Sequence, residues 1–137
     1  MKIVTYLNFD GTCREAFEFY AGVLGGKLTM QVVSESPAAE HMAPEFQDSV
    51  MHACLEVGDQ TLMASDTMHM GYTRPQGFSV SLQFETPEEA ERVFEALAEG
   101  GEVRMPLERT FWALRFGTLE DRFGTPWMIN CNERECT

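Results

Sequence analysis

The sequence predicts an α+β protein built from two copies of one βαβββ unit. Three observations carry this: a repeat 75 residues apart, a double glycine closing the helix of each copy, and strand-type alternation before each helix. "YLNFDGTCREAFEFYAGVLGGKLTM" (6–30) answers "SLQFETPEEAERVFEALAEGGEVRM" (81–105). Leu7 matches Leu82, Asn8 matches Gln83, Phe9 matches Phe84 and Asp10 matches Glu85. After a one-residue slip Glu15-Ala16 matches Glu89-Ala90 and Tyr20 matches Phe94, and the spacing of 75 returns at Gly25-Gly26 and Gly100-Gly101 and at Met30 and Met105. A weaker match 59 residues apart sets "ACLEVG" (53–58) against "WALRFG" (112–117), pairing Leu55 with Leu114, Val57 with Phe116 and Gly58 with Gly117.

The elements follow in order. Period-2 alternation over Val4 to Phe9 and Val80 to Phe84 predicts a half-buried first strand in each copy. Thr12 and Thr86 are the expected N-caps, Pro87 suits a first helical turn, and Ala16, Phe19, Tyr20 and Val23 recur at helical spacing. The paired glycines end both helices, since glycine takes the left-handed cap conformation without a steric penalty. Strands are then predicted at Leu28–Val33, Met51–Val57 and Gln60–Ser65, and at Glu102–Pro106, Trp112–Thr118 and Pro126–Cys131. "SESPAAEHMAPEFQDS" (34–49) reads as a long polar loop with at most one helical turn, of the kind that serves as a lid or partner contact. The whole chain, 1–137, is expected to be one domain, with module one at about 1–66, a linker at 67–77 and module two at about 78–131.

A formal charge of −12 over 137 residues sets a repulsive potential before nucleic acids and anionic membranes, so neither is an expected partner. The opening "MKIVTYLNFDG" lacks the apolar core of a signal peptide and no stretch approaches a membrane span, which points to the cytoplasm. Cys13, Cys54, Cys131 and Cys136 form no CxxC pair and are expected to be free thiols. Trp112 and Trp127 read as core or dimer-contact aromatics, and His41 and His69 as exposed loop and linker residues.

Together the "FEFYAGVLGGKL" helix exit, "MHACLEVGDQTLMASD" and "FWALRFGTLEDRFGTPWMI" resemble the vicinal oxygen chelate (glyoxalase/bleomycin resistance/dioxygenase) superfamily, and within it the PhnB-like branch. The resemblance covers Ile3 to Asn130. It implies a glyoxalase-like fold, in which the two repeats form a curled mixed sheet around a cleft that holds a small-molecule ligand, and a homodimer. Its members include isomerases, dioxygenases, thiol transferases and drug-sequestering proteins, so whether this chain is an enzyme stays open. Some PhnB-like sequences carry a methyltransferase label, yet no glycine-rich strand-to-helix turn of a nucleotide-binding fold is present in this chain.

Alternation assigns faces. With Leu7, Phe9, Leu82 and Phe84 under the helices, Tyr6, Asn8, Ser81 and Gln83 point into the expected cleft. The same logic sends His52, Cys54 and Glu56 inward, with Phe111, Ala113 and Arg115 as their counterparts, and adds Met63, Ser65, Met128 and Asn130 from the last strands. The ligand-binding set is therefore Tyr6, Asn8, His52, Cys54, Glu56, Met63, Ser81, Gln83, Arg115 and Met128. Metal-binding members of the superfamily take His, Gln or Glu from the first and last strands. Those positions here, around Thr5 to Leu7, Met63, Ser79 to Ser81 and Met128, hold no His, Asp or Glu, so no metal and no cofactor are expected. His52 and Glu56 are the catalytic candidates, as acid-base groups or, alternatively, as unconventional ligands of a metal-dependent lyase, isomerase or dioxygenase. Arg115 is either an anchor for a substrate carboxylate or phosphate or the partner of Glu56. The leading expectation is metal-independent binding of a small polar or anionic molecule.

Overall fold

A computed structural model describes residues 1–132, and Cys136 lies outside them. The described chain divides into two compact units at Thr73 and Arg74. Module one runs β1 (Thr5–Phe9), α1 (Cys13–Leu24), β2 (Lys27–Val32), β3 (Val50–Val57) and β4 (Gln60–Asp66). Module two runs β5 (Val80–Phe84), α2 (Pro87–Ala98), β6 (Glu102–Glu108), β7 (Ala113–Glu120) and β8 (Pro126–Asn132). Their sheets have the same strand order, β1-β4-β3-β2 and β5-β8-β7-β6, with the first and last strands of each module parallel and the other neighbours antiparallel.

Each helix covers one face of its own sheet. In module one Leu7, Phe9, Ala53, Leu55, Leu62 and Ala64 turn to that face and meet Cys13, Ala16, Phe17, Tyr20 and Val23 of α1, all of them buried. Phe17 takes the core place expected of Phe19, because positions 13, 16, 17, 20 and 23 make one helical stripe and Phe19 falls at its edge. In module two Ala90, Val93, Phe94 and Leu97 of α2 pack over Leu119, Trp127, Ile129 and Cys131. Full burial accounts for the raised pKa of two thiols: Cys13 is pushed up to about 12 by desolvation and by the charge of Asp66, and Cys131 is raised chiefly by burial.

The paired glycines do two jobs. Gly25 and Gly100 adopt positive φ at the helix exits. At Gly26 a Cβ would collide with the carbonyl oxygen of Glu56, and at Gly101 with that of Glu120, so the backbone of the third strand passes where only glycine fits.

One helix start follows expectation and the other does not. Thr86 caps α2, its hydroxyl oxygen accepting from Glu89 N–H at 3.3 Å. Thr12 makes no side-chain cap. Instead the buried carboxylate of Asp66, at the end of β4, accepts from Gly11 N–H (2.9 Å) and Cys13 N–H (3.1 Å) through Oδ1 and from Val50 N–H (2.8 Å) through Oδ2. A charged acceptor serving three amides outcompetes a hydroxyl beside the helix start.

Residues 34–49 are more organised than a polar loop. They hold short 3-10 turns at Val33–Glu35, Pro37–Glu40 and Pro44–Phe46, tied by Ser34 N–H to the Gln47 carbonyl (2.8 Å) and by the Gln47 amide to the Ala39 and Met42 carbonyls (3.0 Å each).

Candidate functional site

The face of each sheet turned away from its helix carries the candidate residues, and strand register sets them in rows. In module one Tyr6, Met63, Cys54 and Thr29 lie side by side across four strands. A second row pairs Asn8 with Ser65 and, two strands on, His52 with Gln31, while Glu56 sits between Thr61 and Lys27. The Tyr6 hydroxyl lies 3.4 Å from His52 Nδ1, with ring centroids 5.9 Å apart. His52, Cys54 and Met63 are half-buried, and Tyr6, Asn8 and Glu56 exposed.

Module two repeats the plan with other chemistry. Ser81, Met128, Thr118 and Met105 form the row that answers Tyr6, Met63, Cys54 and Thr29. Gln83, Asn130, Phe116 and Glu108 form the next. The Asn130 amide donates to Gln83 Oε1 (2.7 Å) and Asn132 Oδ1 (2.8 Å), while Gln83 donates to the Ser81 hydroxyl (2.8 Å). Asn130 is 7% exposed, and its Oδ1 has no hydrogen-bond partner among the described residues.

These registers correct the expected counterparts of β3. Cys54 pairs with Met63 and Thr118 with Met128, and Gly26 abuts Glu56 as Gly101 abuts Glu120. The third strands therefore match at a spacing of 64, not 59: "HACLE" answers "FGTLE". His52, Cys54 and Glu56 correspond to Phe116, Thr118 and Glu120 rather than to Phe111, Ala113 and Arg115. Phe111 lies outside any strand, 95% exposed against Trp112. Glu120 is buried and bonds Arg74 and Arg104, whereas Glu56 is exposed.

Arg115 does not join the open face. A register shift between Ala113 and Arg115 leaves Ala113 opposite Asn132 and turns Arg115 to the helix side, opposite buried Cys131. There its Nε donates to Glu91 of α2 at 3.0 Å, and Nη1 to the Leu114 carbonyl at 2.6 Å. Glu91 takes the place expected of Glu56 as its partner.

The D-R-F-G-T-P-W run is a structural device. Asp121, buried at 3% exposure, accepts from Phe123 N–H (2.8 Å) and Thr125 N–H (3.1 Å) through Oδ1 and from Trp127 Nε1–H (2.8 Å) through Oδ2. It shapes the turn into β8 and orients a fully buried tryptophan.

The residues present do not fit a divalent ion of the kind the superfamily chelates. Tyr6 pairs with Met63 and Ser81 with Met128 at the first-strand and last-strand positions, giving phenol, hydroxyl and thioether donors. Among the described residues no group of three or more His, Cys, Asp and Glu side chains is disposed to hold an ion. His52 and Glu56 are four residues apart on one strand, so their Cα atoms stand roughly 13 Å apart, too far to share an ion comfortably.

A double βαβββ arrangement with each helix on one face of a mixed sheet defines a glyoxalase-like α+β protein, and solved structures of the glyoxalase/bleomycin resistance/dioxygenase family share that fold. A family model described as 3-demethylubiquinone-9 3-methyltransferase matches residues 1–130, and the chain belongs to that family, the PhnB-like one. It is 34% identical to Protein YjdN of Escherichia coli over 146 residues, covering 100% of this chain and 99% of YjdN. The crystal structure of protein PA1353 from Pseudomonas aeruginosa is 49% identical, with a TM-score of 0.86 over 96% of this chain and 98% of that one. The PhnB protein from Bacillus cereus is 28% identical, with a TM-score of 0.76 over 96% and 99%. Among the described residues no helix is long and apolar enough to cross a membrane.

Proposed function

We propose that this PhnB-like protein binds a small polar molecule on the sheet faces turned away from its helices, without a divalent metal, as a cytoplasmic homodimer. One observation carries the reading: Asn130 Oδ1 is a buried acceptor with no partner among the described residues, on a face that also presents Gln83, Ser81 and Thr118. Leaving such an acceptor unsatisfied costs about 1–3 kcal/mol, so a ligand that reaches it with a hydroxyl or amino donor, by moving the exposed Gln83 side chain aside, recovers that energy on binding. Tyr6, Asn8 and His52 offer a second polar cluster on module one. With Arg115 committed to Glu91, a polar ligand suits these faces better than an anion. Unpaired sheet edges give a second copy something to cover.

Methyl transfer, named in the family's description, gains little from the local geometry. The amides at the start of α1, where an incoming strand meets a helix as in nucleotide-binding folds, are already taken by Asp66. A thermal screen of small hydroxyl and amino compounds tests the reading. A ligand present at a hundred times its Kd stabilises by about 2.7 kcal/mol, a rise in Tm of roughly 8 °C. Asn130→Leu, which keeps the bulk and removes the acceptor, should lose that rise. A rise that survives Asn130→Leu and Tyr6→Phe/His52→Gln alike puts the ligand elsewhere.

A further inference from the structure

The donor set that refuses hard ions suits soft ones. We propose that the open face of module one binds one soft monovalent ion, Cu(I) or its redox-inert analogue Ag(I), between Cys54 Sγ and Met63 Sδ with His52 Nε2 as third donor. Cys54 and Met63 are direct partners in the antiparallel β3/β4 pair, which sets their Cβ atoms roughly 5 Å apart on the same face. His52 is two residues from Cys54 on that face, roughly 7 Å along the strand. Thiolate, thioether and imidazole make a low-coordinate set of two sulfurs and one nitrogen, the softness such ions select.

Two further features favour the site. The Tyr6 hydroxyl beside His52 Nδ1 can accept its N–H, which leaves the lone pair on Nε2 and orients the ring, the outer-shell arrangement common to histidine ligands. All three donors are half-buried, whereas Cys13 and Cys131 are sealed under the helices with raised pKa values. Module two cannot match it: Phe116 and Thr118 stand where His52 and Cys54 do, so the stoichiometry is one ion per chain. Binding exchanges the Cys54 S–H proton for the ion and releases it to solvent. The proposal does not depend on the polar-ligand reading, because Asn130 belongs to the other sheet.

The test uses full-length protein carrying Cys136→Ser, which removes the thiol outside the described residues. Anaerobic Cu(I) titration against bicinchoninate, with Ag(I) followed by native mass spectrometry, should give one tight ion and one released proton per chain. X-ray absorption at the copper edge should show a mixed sulfur and nitrogen shell. Cys54→Ser and Met63→Leu should abolish the tight site, Tyr6→Phe should weaken it roughly 10-fold, and His69→Gln, in the Met68–Met70 turn, should leave it intact. Should Cys54→Ser fail to fold, Met63→Leu decides alone. Unchanged binding in the Cys54 or Met63 variant, loss in His69→Gln, or no tight ion at all overturns the assignment.

Discussion

The third strands of the two modules hold equivalent places, yet β3 presents His52, Cys54 and Glu56 to the open face and β7 presents Phe116, Thr118 and Glu120. On β3 these groups stay half-buried or exposed and are available for chemistry. On β7 the aromatic Phe116 meets Trp112 edge-on, 5.4 Å between centroids, and the acid is locked by Arg74 and Arg104. The scaffold has kept its glycines, registers and helix seats in both copies, while reactive groups remain in one and hydrogen-bonding amides have concentrated in the other. Duplication thus separates what the fold needs from what a site needs: features shared by both copies hold the chain together, and features present in one do something else.

That contrast can be broken in several places. The largest effect is expected at Asp66, whose carboxylate serves three backbone amides that its module-two counterpart Cys131 cannot. Asp66→Ala should cost about 4 kcal/mol, measured as a fall in the urea midpoint, because each of the three amides loses a hydrogen bond worth about 1–1.5 kcal/mol net. Next come the shared glycines. Gly26→Ala and Gly101→Ala each force a methyl into a carbonyl oxygen and should cost about 3 kcal/mol. Gly26, which also sits at φ 94°, should be the worse of the two. Equal tolerance at both sites would mean that the close approach is not what the double glycine serves.

Alkaline pH sharpens the difference between the helix cores. Cys13 keeps its proton up to about 12 when folded but releases it near 9.0 when unfolded, so above pH 9 the unfolded chain binds fewer protons and stability falls as pH rises. The slope should reach about 1.4 kcal/mol per pH unit between 9 and 12. In Cys13→Ala this contribution should vanish, seen as a flatter plot of unfolding free energy against pH. The smallest effect is expected at Thr86→Ala, about 1 kcal/mol, since one hydroxyl cap is all that is lost at the start of α2.

How much of this was legible in the sequence depends on the range of the interaction. Strand positions and the glycine exits are local signals, and all eight strands lie within two residues of their expected bounds. Faces on module one follow from alternation, which no bulge interrupts between β3 and β4. Alternation failed at Arg115 because the register shift beside Leu114 turns the strand over, and nothing in "FWALRFG" announces it. The 59-residue match rested on residue types alone. Met63 and Met128, 65 apart, held the better clue, since paired strands must keep nearly the same spacing. Asp66 capping a helix 53 residues away, and Glu120 gathering arginines from the linker and β6, are tertiary events without a local pattern. The unsatisfied Asn130 Oδ1 likewise emerges only when its neighbours are in place.

The claim that the open faces bind a polar molecule is tested most directly at Asn130. Side-chain amide resonances of Asn130 and Gln83, followed by NMR as a hydroxyl or amino compound found in the thermal screen is added, should shift saturably with the same Kd that the Tm rise reports. If those resonances stay still while the compound binds, or move equally in an Asn130→Leu background through Gln83 alone, the ligand lies elsewhere and the account is wrong.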